Sequence, residues 1–459
     1  MCAYISSVLR HSGLVTGRFT TPHLIDRWDC ICVNDEPIPK ATFFAVESHI
    51  HELNRKNDIR ATEFELLTAT AFELFSRLKV QVAVVEVGIG GRDDATNVFD
   101  SLGGEPIVTV ITKMGMDHEG FLGETLGEIA RHKAGILKRG VPVVIDGSTA
   151  PQALGVVEEV AKEVEAGELR KVMFNYDYHD REKEAGAQAR FITKELDKGL
   201  GELEVKISLH GRYQYQNAQV AVEAIAIASR SIPEITRDSV VKGIESARWA
   251  GRLDWVDLSP LAPSLNRSVL LDGAHNPQAA RELGQYVDRL RKEGRRSHVN
   301  WVIGITKGKD VDEILQPMLR PGDSVYAVPF GEVDGMPWVK PTEPGDIIRA
   351  AKKALGEDAG GGMCAEGKDE LEGLEKAVVA GNGREIVVAG SLWVDLSCGL
   401  HLTRGQLLMH IVSLTDTLLA AFFGISGMHK TMSDKRAESK RCSHPSYIYI
   451  HAHSTYILK

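Results

Sequence analysis

The chain has 459 residues, of which 43% are hydrophobic and 25% are charged, a composition typical of a globular protein that is long enough for two domains. Its formal net charge of −9 argues against nucleic acid as the main partner, and its 6 cysteines lack the Cys-x-x-Cys spacing of a zinc site. No signal peptide or membrane span is predicted, so we expect a cytoplasmic protein without a membrane partner; mitochondria are the alternative.

The N-terminal part of the chain predicts short strands alternating with helices. Residues 2–11 and 40–55 each predict a helix. A further helix begins at Thr62, where Glu65 stands at the capping-box position. Residues 26–38 predict an edge strand and a turn.

Two apolar runs rich in β-branched residues, 82–87 and 107–111, predict buried parallel strands. Glu86 lies at the carboxyl end of the first run, and His118 follows the second. Ligands of open α/β sheets bind outside these strand ends, and a glutamate with a histidine there suits a divalent metal that also holds phosphate. A salt-bridged Glu86 and a surface His118 are the alternative.

A lysine interrupts the apolar stripe of the next predicted helix, residues 125–137. Leu126, Ile129 and Ala134 belong to this stripe, and Lys133 falls inside it. A lysine on an inward face must extend its ammonium group to solvent, pair with an anion or lose its charge. The pattern alone leaves these three outcomes open.

Strand-like and helix-like segments alternate again in the second half of the chain, which predicts a second α/β sheet with right-handed crossovers. The Gly- and acid-rich residues 356–373 predict disorder. Other predicted elements are strands at 141–146, 268–272, 299–305, 324–329 and 385–389, helices at 151–164 and from 210, and a hairpin region with a mobile loop at 176–201.

Four motifs together resemble the dihydrofolate synthase and folylpolyglutamate synthase family of Mur-ligase-like, ATP-dependent amide ligases. They are EVGIGGRDDATN (86–97), TKMGMDHEGFLG (112–123), IARHKAGILK (129–138) and DGAHNP (272–277). The resemblance covers residues 1–395 and implies a Mur-ligase-like α/β fold. Residues 1–247 would form a central P-loop-type ATPase and pterin-binding domain, and residues 248–396 a smaller Rossmann-like domain.

The resemblance is incomplete at both ends of the sequence. The family's GTxGKGS phosphate loop and the strand before it have no counterpart, so we expect an ATPase domain that lacks its first strand and has weakened ATP affinity. Residues 397–459 do not resemble the family, and we predict a disordered tail there.

The resemblance also implies roles for individual residues. For some of them a local explanation suffices: residues 21–22 fit a plain X-Pro turn, Thr62 a helix cap, and Asn217 the start of a helix. The implied metal ligands are Thr21, Glu86, His118 and a carbamoylated Lys133; the catalytic residues Lys133 and His275; the ATP-binding residues Asn217, Arg252 and Asp272; and the pterin-binding residues Pro22, His23, Thr62, Phe64 and Asp94.

The activity that the resemblance implies is ATP-dependent ligation of L-glutamate to dihydropteroate through an acyl phosphate, with Mg²⁺ as cofactor and a monomeric enzyme. Residues 25–31 are similar to fungal dihydrofolate synthases, which favours dihydropteroate as the acceptor. One alternative is a folylpolyglutamate synthase that extends tetrahydrofolate. Another is an inactive member of the family that binds folate.

Overall fold

The structure is a computed structural model that describes residues 1–99, 106–116, 122–174, 188–193, 200–257, 268–294, 297–333, 335–356, 362–380, 384–391 and 446–451. Two sheets, each covered by helices on both faces, organise these residues. The predicted α/β class is therefore confirmed.

The first sheet has the strand order β3-β2-β1-β4-β16-β5-β6-β7, in which the pairings of β2 with β1 and with β3, at one edge, are antiparallel and the others are parallel. Val82 and Val84 of β4 face one core, whereas Ala83 and Val85 face the other, as expected of a strand buried on both sides. Its strands are β1 (Thr16–Phe19), β2 (Ile31–Val33), β3 (Glu36–Pro37), β4 (Val82–Glu86), β5 (Pro106–Ile111), β6 (Val143–Asp146), β7 (Leu169–Val172) and β16 (Ser446–His451).

Helices cover both faces of this sheet. One face carries α1 (Cys2–His11), α6 (Arg212–Ala228) and α7 (Arg237–Ser246), and the other carries α2 (Lys40–Lys56), α3 (Glu63–Arg77), α4 (Leu126–Ala134) and α5 (Pro151–Glu163). The helices predicted at residues 2–11, 40–55, 125–137 and 151–164 are confirmed to within three residues at each end.

The prediction of a disordered tail at 397–459 is wrong for residues 446–451, which form β16. This strand lies between β4 and β5 and runs parallel to both, with Ile450 opposite Glu86 and His451 opposite Ile111. Two buried strand edges without a partner would leave their backbone groups unsatisfied, and one parallel strand satisfies both. The sheet therefore has no gap at this position. The rest of the predicted tail lies outside the described residues.

Two smaller segments refine the predictions. Residues Arg27–Cys30, predicted as strand, form a 3-10 turn because the Asp29 carboxylate accepts hydrogen bonds from the backbone N–H groups of residues 24–26. A hairpin is confirmed as β8 (Gln188–Ile192) paired with β9 (Glu202–Lys206), which begins just past the predicted region of 176–201. Residues 176–187 and 194–199 of that region, with the mobile loop predicted there, lie outside the described residues.

The second sheet follows a linker, residues 247–253, and has the order β10-β11-β15-β12-β13-β14, parallel except for β10. Helices α8, α9 and α10 pack on one face and α11 on the other. The elements are β10 (Asp254–Asp257), β11 (Ser268–Asp272), α8 (Pro277–Lys292), β12 (Val299–Gly304), α9 (Val311–Leu315), β13 (Ser324–Ala327), α10 (Pro344–Leu355), β14 (Cys364–Glu366), α11 (Glu370–Val379) and β15 (Glu385–Gly390).

Disorder over residues 356–373 is a wrong prediction where the structure describes them. Residues 364–366 form β14, which pairs with β13, and α11 begins at Glu370, capped by the Asp369 side chain. In this segment Gly356, with φ +83°, ends α10, and Asp369 caps α11. Among the described helices, none is long and apolar enough to cross a membrane.

Candidate functional site

A buried carboxylate, Glu86, lies at the carboxyl end of β4 and is 5% exposed. The backbone N–H of Thr21 donates to its Oε2 at 3.1 Å. Burial raises the pKa of Glu86 to about 7, against the lowering effect of the Met1 amino group and the guanidinium groups of Arg252 and Arg18. A further cation bound beside this carboxylate would stabilise its charged form.

The segment after β1 lies beside this carboxylate. Thr21 and Pro22 are joined by a cis peptide bond, and the His23 side chain is buried. The hydrogen bond from Thr21 to Glu86 shows that the structure brings together two of the predicted metal ligands. The X-Pro turn expected at residues 21–22 is present, and it also carries the hydrogen bond to Glu86.

Lys133 is buried, at 1% exposure, near the end of α4. The loop after β4 packs on the same helix end: the N–H of Arg92 donates to the carbonyl oxygen of His132 at 2.9 Å. Gly91 has φ +152°, and a Cβ there would lie 2.8 Å from that oxygen. Of the three outcomes that the sequence left open for Lys133, the extension of its ammonium group to solvent is excluded. His118 lies outside the described residues.

Phe64 and Asp94 meet at a glycine that follows β4. A Cβ on Gly88 would lie 2.5 Å from Cζ of Phe64 and 3.1 Å from Oδ2 of Asp94. Asp94 accepts hydrogen bonds from the N–H of Ile89 at 2.8 Å and from the N–H of Thr96 at 3.0 Å. The ring of Phe64 stacks at 6.3 Å from that of Phe19. Two predicted pterin contacts are therefore adjacent, beside the half-exposed Ile89.

Thr62 has a structural role of its own. Its hydroxyl accepts from the N–H of Glu65 and donates to the Glu65 carboxylate, which completes the predicted capping box of α3. Its predicted contact with the pterin stays a prediction.

In the second domain, Asp272 and Arg252 lie together where β11 meets the linker. Both are buried, and Asp272 accepts a hydrogen bond from the N–H of Leu253 at 2.8 Å. Burial raises the pKa of Asp272 to about 6, and the positive charge of Arg252 opposes this rise. Arg252 thus acts electrostatically on a carboxylate of each domain, Glu86 and Asp272.

The loop after β11 fixes His275, which is 1% exposed. Its Nδ1 lies 2.9 Å from the carbonyl oxygen of Gly273, so Nδ1 carries the hydrogen and donates it. The next residue, Asn276, caps α8 through its side chain, and Pro277 occupies the first turn. The DGAHNP motif therefore orients His275 rigidly at the strand end.

Asn217 lies in the second turn of α6, where its Nδ2 donates to Oε1 of Gln214 at 3.2 Å. The cap of this helix is Gly211, with φ +100° and no side-chain capping hydrogen bond. The structure therefore does not support helix capping as an explanation for Gln214 and Asn217.

Arg18 and Trp249 form a contact that no sequence motif predicts. Arg18 on β1 lies with its Cζ 5.0 Å from the ring centroid of Trp249 in the linker. The only sequence signal was the charge of Arg18 inside an otherwise buried strand.

The donor set fits a hydrated magnesium ion. The described residues contain no group of three or more His, Cys, Asp and Glu side chains placed to bind one metal. Mg²⁺ is commonly held by one or two carboxylates together with waters and substrate phosphates. The buried Glu86 beside Thr21 is a donor set of this size and charge.

Comparisons with known proteins agree with this geometry. Residues 254–398 match the family model described as dihydrofolate synthetase, C-terminal domain. A probable dihydrofolate synthetase of Schizosaccharomyces pombe is 39% identical over 76% of this chain and 78% of its own, and the dihydrofolate synthetase of Saccharomyces cerevisiae is 37% identical over the same shares.

A solved structure of Mycobacterium tuberculosis folylpolyglutamate synthase, complexed with ADP and AMPPCP, is similar with a TM-score of 0.67 and 25% identity, over 86% of each chain. Both sheets, the motifs at their strand ends and these similarities lead to one conclusion: the chain belongs to the dihydrofolate synthase and folylpolyglutamate synthase family of ATP-dependent ligases.

Proposed function

We propose that this chain joins L-glutamate to dihydropteroate to give dihydrofolate. A carboxylate oxygen of dihydropteroate attacks the γ-phosphorus of ATP, and ADP leaves. The amine of glutamate then attacks the carbonyl carbon of the acyl phosphate, phosphate leaves, and the amine loses a proton. The observation that carries the proposal is the buried Arg252, whose neighbour Leu253 donates to the Asp272 carboxylate and whose positive charge acts on the Glu86 carboxylate of the first sheet.

The residues present can meet the main electrostatic difficulty of this reaction, which is the convergence of two anions. Arg252 supplies a buried positive charge between the domains, where an ionic interaction is stronger than in water. Asp272, Asn217 and His275 would bind ATP and orient the incoming glutamate. The backbone that carries these groups is fixed by hydrogen bonds, so little reorganisation is needed during the reaction.

Pterin recognition would use Phe64 and Asp94, with Pro22, His23 and Thr62 at the rim. The Phe64 ring offers a face for stacking. Asp94 accepts from two backbone N–H groups and from the Thr96 hydroxyl. A carboxylate has about four lone-pair sites, so Asp94 retains the capacity to accept one N–H of a pterin.

Glu86, Thr21 and His118 would hold Mg²⁺, which when bound supplies positive charge to the phosphates of ATP. We further propose that Lys133 reacts with CO₂ to form a carbamate, in which the amine loses a proton and the lysine gains a negative charge. A carbamate accounts for a lysine that is almost completely buried. Carbon-13 NMR with labelled bicarbonate tests this proposal, because Lys133→Met must abolish a carbamate signal that the wild-type chain shows.

The acceptor is tested by mass spectrometry of the products formed by the full chain with Mg²⁺, ATP and L-glutamate. One reaction receives dihydropteroate and the other tetrahydrofolate. Product from dihydropteroate alone supports the proposal, whereas product from tetrahydrofolate moves the assignment to folylpolyglutamate synthase. Glu86→Gln is the site control, and Glu63→Gln replaces an exposed glutamate on the same domain. No product in either reaction would favour an inactive, folate-binding protein.

We also propose that the protein is a monomer and that it is located in the cytoplasm. Size-exclusion chromatography with light scattering tests the first, and imaging of the tagged protein in cells tests the second.

A further inference from the structure

The linker that carries Arg252 ends in a strained, hydrogen-bonded segment. Leu253 is buried and has φ +46°, a left-handed conformation that is unfavourable for a residue with a side chain. Its N–H donates to Asp272, and the N–H of Gly273 donates to the carbonyl oxygen of Gly251 at 3.0 Å. These bonds fix Arg252 relative to the second domain.

A second set of contacts ties the start of the linker to the first domain. The half-buried Trp249 stacks on the guanidinium group of Arg18. Arg18 is itself held on β1, because its Nη2 lies 3.2 Å from Sγ of Cys32 and its Nη1 lies 3.8 Å from Oδ1 of Asp35. Because β1 pairs with β4, this stack fixes the position of the linker relative to the strand that ends in Glu86.

A third set of contacts ties β10, the strand that follows the linker, back to the first domain. The indole N–H of Trp255 donates to the hydroxyl of Tyr286 on α8 at 3.0 Å. The Tyr286 oxygen also lies 3.0 Å from Nδ1 of His210, just before α6. Because an indole nitrogen can only donate, the Tyr286 hydroxyl accepts from Trp255, whereas in the bond with His210 the tautomer of the histidine decides which group donates.

We infer that Trp249 and Tyr286 are positioning residues, which hold the chain on either side of Arg252 and so fix Arg252 relative to both sheets. This inference rests on the role of Arg252 under the proposed function. Each residue acts through Arg252 and contacts neither carboxylate in the described hydrogen bonds and ring contacts. Loosening either end of the linker should therefore weaken catalysis only while Arg252 is present.

A double-mutant cycle tests this inference. Trp249→Leu is expected to lower kcat/KM for ATP about tenfold, since it removes the aromatic face of a half-buried cation–π pair. Tyr286→Phe removes one oxygen atom and is expected to lower it about threefold. In an Arg252→Ala background each change should alter kcat/KM by less than about twofold, because residues that act through a shared partner are not additive.

Three controls make the outcome decisive. Trp249→Phe keeps an aromatic face and should retain most of the activity, and Trp338→Leu replaces a tryptophan that is 70% exposed and should change nothing. Thermal unfolding of every variant is recorded first, and Tyr286→Phe keeps the test valid if Trp249→Leu does not fold.

Full, multiplicative losses in both backgrounds would overturn the inference while leaving the role of Arg252 intact. The inference is also overturned if the two substitutions leave kcat/KM unchanged in the wild-type background. If Arg252→Ala itself leaves the rate unchanged, the role of Arg252 under the proposed function fails, and the inference fails with it.

Discussion

Replacing Glu86 by glutamine is expected to stabilise the metal-free chain at neutral and alkaline pH. The pKa of Glu86 rises from an ordinary value of 4.5 to about 7, because burial penalises the charged carboxylate. Between these two pH values the folded chain holds the proton more tightly than the unfolded chain does. The contribution of Glu86 to stability therefore falls as the pH rises through this window.

The magnitude follows from the difference between the two pKa values. A difference of about 2.5 corresponds to about 3 kcal/mol of unfolding free energy, which the wild-type chain has lost once the pH exceeds about 7. Glutamine has nearly the same shape and does not titrate. The stability difference between Glu86→Gln and the wild type should therefore grow by about 3 kcal/mol between about pH 4.5 and about pH 8.

Denaturant unfolding in the presence of a chelator measures this difference, with Glu63→Gln as the exposed control. We expect the control to follow the wild type at every pH. With Mg²⁺ and ATP present, the wild type should become more stable than Glu86→Gln, because these ligands bind the wild-type carboxylate and stabilise the folded state by mass action. A stability difference between Glu86→Gln and the wild type that does not change with pH would refute the argument that Glu86 is destabilised by burial.

Three other substitutions probe packing and backbone pairing. Asp323→Asn should lower the unfolding free energy by about 3–5 kcal/mol in denaturant unfolding, because the fully buried Asp323 carboxylate accepts from Arg291 and from Trp301 Nε1 at 2.6 and 3.0 Å. Gly88→Ala should raise KM for the pterin substrate about tenfold in steady-state kinetics and leave KM for ATP unchanged, because the new methyl group would displace the Phe64 ring. An equal rise in the two KM values would contradict this explanation. Ile448→Pro should unfold the first domain in calorimetry, since proline cannot donate within a central strand, whereas Ile448→Val should not.

The strands and helices that position the site were predictable because their signals are local. The apolar run that ends at Glu86 can only be buried, and the inward stripe of α4 places Lys133 inside the protein. The capping box at Thr62 and the proline at the start of α8 likewise depend on neighbours only three or four residues away. In each case the information lies within one turn or one strand.

What the sequence could not predict depends on contacts between distant segments. The charge of Arg18 says nothing about Trp249, since the two residues are brought together by the whole first domain. The left-handed conformation of Leu253 accompanies hydrogen bonds to Asp272, the last residue of β11, and to Gly273, which follows it. Composition also misled the prediction for residues 364–366, because a short strand needs only one neighbour with a free edge.

The position of β16 has a consequence for synthesis of the protein in the cell. About 335 residues separate the end of β5 from the start of β16, although the two strands are neighbours in the sheet. At about 5–20 residues per second, β4 and β5 would leave the ribosome roughly 20–70 s before the strand that joins them. During this interval the nascent first domain exposes two unpaired apolar strand edges, a condition that favours aggregation until β16 is synthesised.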